Sequence, residues 1–105
     1  EDMQNKDISI RIIWNAILNE FGVNFFTLVD FWDSDNFAFG FKIRNKLIFV
    51  STWDFRDNKT SEIKCYSEFE LINEESFETE FNSKQLKEIS IDELINQIRI
   101  FVLMN

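Results

Sequence analysis

Between Lys6 and Phe21 the apolar residues Ile10, Ile13, Trp14, Ile17, Leu18 and Phe21 recur at intervals of three and four. That spacing lines one stripe of a helix and predicts a helix over 6–21. Asn5 or Asp7 stands where an N-cap side chain is wanted, and Gly22 where a left-handed residue would end the helix. Ile8 and Ile12 fall on the opposite side. From Val23 onward the alternation shortens to every second residue, which predicts strands near 24–33, 36–43, 47–55, 62–72 and 76–82. The separators are Ser34-Asp35, Arg44-Asn45-Lys46, Arg56 to Ser61 and Asn73-Glu74-Glu75. They are rich in turn formers and short enough for hairpins, so an antiparallel meander is the simplest topology. Ser90-Ile91-Asp92-Glu93 has capping-box spacing, and Ile91, Leu94, Ile95, Ile98, Phe101 and Val102 form the stripe of a helix over 91–104. Residues 83–89 remain open between a loop, a short helix and a short strand. The fold class expected is α+β in one domain spanning 1–105: an N-terminal helix, about five antiparallel strands and a C-terminal helix.

Parity along the strands then divides the side chains into two faces. If each hairpin opposes residues of equal parity, all odd positions share one face. That face collects Phe25, Val29, Phe31, Phe37, Phe39, Phe41, Ile43, Leu47, Phe49, Trp53, Phe55, Ile63, Cys65, Phe69, Leu71, Phe77 and Phe81, and is expected to be the core under the helices. The even face carries Phe26, Leu28, Asp30, Trp32, Ala38, Gly40, Lys42, Ile48, Val50, Thr52 and Asp54. Trp32 opposite Ala38, and Asp30 opposite Gly40, would leave a shallow hollow beside the indole. Such a hollow suits a partner's side chain or the close approach of a helix. Further along, the same register sets Glu70 opposite Glu78 and Glu68 opposite Glu80, with Tyr66 and Glu62 extending the row and Lys64 interrupting it. Like charges across a strand pair are destabilising. They read either as a receptor for a partner's Lys and Arg, or as a solvated face that prevents edge aggregation.

Composition narrows the chemistry. Thirteen Phe in 105 residues bury area quickly, so a short chain can still build a core. Nineteen acidic against eleven basic residues give a net charge of -8, which repels a phosphate backbone and reads either as attraction for a basic protein partner or as charge that keeps a small protein soluble. No apolar run is long enough to span a membrane, the first residues lack a signal-peptide pattern, and Cys65 has no second cysteine to pair with. A cytoplasmic protein is expected. Histidine is absent, removing the commonest general base and metal ligand, and Cys65 has no imidazole to activate it. Asp30, Asp33 and Asp35 cluster without a calcium-loop spacing and read as a turn. Asp54 with Glu62-Ile63-Lys64 resembles the Asp…Glu-x-Lys pattern of restriction-endonuclease-like enzymes. In those, carboxylates hold a metal and the lysine assists the attacking water, so a Mg²⁺-dependent nuclease stands as a third reading.

In size, acidity, lack of catalytic residues and helix–sheet–helix order, the chain resembles bacterial immunity proteins of contact-dependent growth-inhibition systems. The resemblance implies a cytoplasmic inhibitor that binds a cognate toxin, often a basic nuclease, through acidic and aromatic side chains. It transfers no residue roles. The face reading supplies the candidate contacts: Glu68, Glu70, Glu78, Glu80, Tyr66, Trp32, Asp30, Asp33 and Asp54. No catalytic residue, metal or cofactor is assigned. A homodimeric scaffold or chaperone-like adaptor is the alternative function.

Overall fold

The computed structural model describes residues 3–29, 31–58 and 62–104, with Asn82 and Ser83 described by their backbone alone. The elements in chain order are α1 (Ile8–Phe21), β1 (Thr27–Val29), β2 (Ala38–Ile43), β3 (Lys46–Ser51), β4 (Lys64–Ile72), β5 (Thr79–Ser90) and α2 (Ile91–Leu103), with a 3-10 turn at Trp53–Phe55. The sheet order is β1-β2-β3-β4-β5 and each neighbour is antiparallel, so the fold is the expected α+β meander between two helices. Among the described residues no helix is long and apolar enough to cross a membrane.

Both helices begin on side-chain caps. The Asp7 carboxylate accepts from the Ser9 backbone N–H at 3.0 Å and from its hydroxyl at 2.6 Å, satisfying donors that the first turn leaves unpaired. Gly22 ends α1 at φ 100° and ψ 154°, with its N–H donating to the Leu18 carbonyl at 2.8 Å. That backbone region is essentially reserved for glycine. At the start of α2 the expected capping box is present, with Glu93 N–H donating to Ser90 Oγ at 3.2 Å and Ser90 N–H to Glu93 Oε1 at 2.9 Å. These bonds to Ser90 hold the Glu93 carboxyl below its ordinary pKa. Its contribution to stability is therefore present at neutral pH and lost as pH falls through the depressed folded value. Ser90→Ala is expected to cost about 1 kcal/mol in urea unfolding and to weaken that acid dependence. Unchanged stability would contradict the cap.

The helices cover one face of the sheet. Ile10, Ile13 and Ile17 of α1 and Leu94 and Ile98 of α2 are fully buried against Phe39, Phe41, Ile48, Val50, Cys65 and Phe69. This corrects the expected all-odd core. Ile43 pairs with Lys46 across a two-residue loop in which Arg44 takes φ 54°, so opposing residues there differ in parity. The same holds between β1 and β2 and between β3 and β4, where Leu28 opposes Phe41 and Ile48 opposes Phe69. β2 and β4 consequently send odd residues to the helices, whereas β1 and β3 send even ones. Val29, Leu47 and Phe49 pass to the outer face; Leu28, Ile48 and Val50 join the core.

Strand limits also move. β1 is three residues long instead of spanning 24–33, and β2 begins at Ala38. β3 stops at Ser51: Thr52 N–H still donates to the Phe37 carbonyl at 2.9 Å in ladder register, but Ser51 Oγ accepts from Trp53 N–H at 3.1 Å and the chain turns into the 3-10 turn at Trp53–Phe55. Segment 83–89 belongs to β5, which runs directly into α2. The 73–78 connection is pinned by Asn73: its Oδ1 accepts from Glu75 and Ser76 N–H at 2.9 and 3.1 Å, and its carbonyl accepts from Phe77 N–H at 2.8 Å. This wider closure, with three register irregularities, sets Glu70 opposite Asn82 and Glu68 opposite Gln85. The expected pairing of Glu70 with Glu78 and of Glu68 with Glu80 does not form.

Candidate protein-binding face

Alternation along β4 places Lys64, Tyr66, Glu68 and Glu70 on the face away from the helices. The register brings Phe49 of β3 opposite Glu68, and Leu47 opposite Glu70. The Tyr66 hydroxyl donates to Glu68, and Thr79 Oγ1 donates to Glu70 Oε1 at 2.5 Å. Partial desolvation, followed by the bond to Glu68 and the charges of Glu68 and Glu70, pushes the Tyr66 phenol up to about 12. It stays protonated and donating at neutral pH.

An aromatic strip runs past this row. Trp32, in the connection between β1 and β2, folds back over the outer face and lies against Phe49 at 4.8 Å between ring centroids. Phe49 continues to Tyr66 at 6.3 Å, and Trp32 continues to Phe31 at 5.8 Å. Phe31 meets Phe77 of the 73–78 connection at 5.3 Å, and Lys42 Nζ stands 5.6 Å from the Phe77 centroid. Phe77 holds this position with φ 63°, a conformation unfavourable for a bulky side chain. The hollow expected beside Trp32 is therefore occupied by its own ring, which sits on Gly40. Val29, not Asp30, opposes Gly40. Trp32 is partly exposed, and Phe31 is 55 % exposed at the top of the strip.

Of the candidate residues, Trp32, Tyr66, Glu68 and Glu70 thus share one surface. Glu78 and Glu80 are exposed at the far end of the β4–β5 hairpin, where Asn73 Nδ2 reaches Glu80 Oε2 at 3.5 Å. Asp33 is exposed in the β1–β2 connection, and Asp30 lies outside the described residues. Asp54 lies in the 3-10 turn and lines an open cleft of about 490 Å³ with Asp57, Glu62, Lys64 and Glu88. The nuclease-like trio does share this cleft, where Lys64 Nζ pairs with Glu62 at 3.5 Å. Four carboxylates surround that one ammonium, a poor surface for a phosphodiester. Among the described residues no group of three or more His, Cys, Asp or Glu is arranged to hold a metal. Cys65 is fully buried, and burial, then the Glu93 charge, pushes its thiol up to about 12.

Sequence reading missed Phe31, Phe49 and Phe77 by assigning them to the core. The two-residue Arg44-Asn45 loop was the available signal for Phe49, since it reverses parity between β2 and β3. Comparison with protein-family models, with curated proteins and with solved structures finds no match to the chain.

Proposed function

We propose that the outer face of the sheet binds a basic protein, and that the chain acts as an immunity-type inhibitor of a cognate toxin. The observation that carries this reading is the placement of Glu68 and Glu70 beside an aromatic strip on the face the helices leave open. Large aromatics supply buried area at low entropic cost and adjacent carboxylates select cationic side chains, a pairing typical of interface anchors. The net charge of -8 adds long-range attraction for a basic partner.

The test starts with capture of the partner from the native source, light scattering of the complex and a salt series. A heterocomplex with a basic protein that weakens as salt rises is expected. Self-association alone would favour the homodimeric scaffold instead. Glu68→Lys combined with Glu70→Lys should then weaken the complex by about tenfold to hundredfold, chiefly at low salt, while circular dichroism of the free protein is unchanged. Affinity equal to wild type would remove this face from consideration.

A further inference from the structure

We infer that Lys6 is the positioning residue of the outer aromatic strip, its ammonium filling a cradle of backbone carbonyls that fixes the loop carrying Trp32. Lys6 Nζ donates to the carbonyls of Trp32 at 2.7 Å, Asp33 at 3.3 Å and Asp35 at 2.6 Å. A primary ammonium has three N–H donors, and here each has an oxygen acceptor. Lys6 is 9 % exposed, and so deep a lysine survives only where oxygens replace its water shell. Burial lowers its pKa, and the Asp33 and Asp35 charges oppose that shift.

The same loop is tied down by its own bonds. Asp35 N–H donates to the Trp32 carbonyl at 3.1 Å, Phe37 N–H to Asp35 Oδ1 at 2.9 Å, and Asp7 N–H to the Asn36 carbonyl at 2.8 Å. Lys6 and Asp7 therefore join the first turn of α1, which packs on the inner face, to a loop that reaches the outer one. With the Trp32 carbonyl held by the ammonium, the indole is left against Gly40 and Phe49. Lys6 acts on the strip through the Trp32 backbone carbonyl, and so sets where its largest side chain lies. The three carbonyls converge on one point as they would around a small cation, which makes the cradle a cation site filled by the chain itself.

The experiment uses the full chain, with Lys6→Ala, Lys6→Met and Lys6→Arg, and reads the Trp32 indole N–H resonance and amide exchange residue by residue. In Lys6→Ala the indole signal should shift and exchange across 31–37 should rise by about tenfold or more, with the α2 amides around Leu94 and Ile98 still protected. Methylammonium chloride should reverse both changes, and tetramethylammonium chloride at equal ionic strength should not, because it has no N–H to donate. Should Lys6→Ala fail to fold, Lys6→Met keeps the aliphatic stem and gives the same readout. Lys6→Arg retains charge but presents a planar fork to the carbonyls, and should restore the loop only in part. An unmoved Trp32 signal, exchange raised equally in α2, or equal rescue by the two salts would overturn the assignment. None of these readings needs the partner, so the inference stands or falls separately from the proposed function.

Discussion

Replacing Phe41 by alanine is expected to cost about 3–5 kcal/mol, seen as a lower denaturant midpoint at unchanged slope. Phe41 is fully buried, with ring centroids of Trp14, Phe26 and Phe39 at 5.4, 4.8 and 5.5 Å. Those neighbours come from α1, from the segment before β1, and from β2 itself. The ring thus sits where three parts of the chain meet, and no one of them can close the cavity by moving alone. A small domain has only about 5–15 kcal/mol in total, so the variant should stand near its unfolding threshold at ordinary temperature. Phe31→Ala is the control: its ring is 55 % exposed, and its removal should cost far less. Equal losses in the two variants would contradict the assignment of faces.

Gly40→Val should produce the second large effect. A Cβ built on Gly40 would stand 2.3 and 2.7 Å from two carbons of the Trp32 ring and 3.0 Å from a Val29 methyl carbon. Close approach of the indole, not an unusual backbone angle, is what demands glycine here. Overpacking costs about 1–3 kcal/mol, and a branched side chain under an aromatic ring belongs at the upper end. The easiest relief is for Trp32 to swing into solvent, which forfeits its contact with Phe49. Expected together are a fall in stability and a red shift of tryptophan emission. In a Trp32→Ala background the penalty at Gly40 should shrink, because the ring that collides is gone. A double-mutant cycle measures this directly, and an identical penalty in both backgrounds would rule out the collision as its cause.

These two predictions rest on different levels of information. The helices were legible because their signals are local: a stripe at intervals of three and four, Asp7 before α1, and the Ser90–Glu93 box before α2. The meander was legible for a similar reason, since short polar separators leave antiparallel neighbours as the simplest connection, and the observed order is sequential. Alternation of side chains within β4 also followed from the sequence, and with it the row of Tyr66, Glu68 and Glu70. Pairing between strands was another matter. A one-residue difference in hairpin length exchanges the faces of a whole strand, and the few polar residues of the Phe-rich segments, such as Lys42 and Lys46, are too sparse to report the slip. β2 illustrates this over its first four residues, where Ala38, Phe39, Gly40 and Phe41 are all buried and both faces look apolar.

Composition, helix positions, strand order and the β4 carboxylates were therefore determined by the sequence itself, through local spacing and net charge. Which aromatics form the core and which form the outer strip was decided only in the tertiary structure. That choice depends on register, on a loop folding back to lay Trp32 over Gly40, and on a lysine 26 residues earlier in the chain that holds the Trp32 carbonyl. Each of these contacts joins residues distant in sequence, where the chain's periodicity carries no information about which partner a side chain will meet.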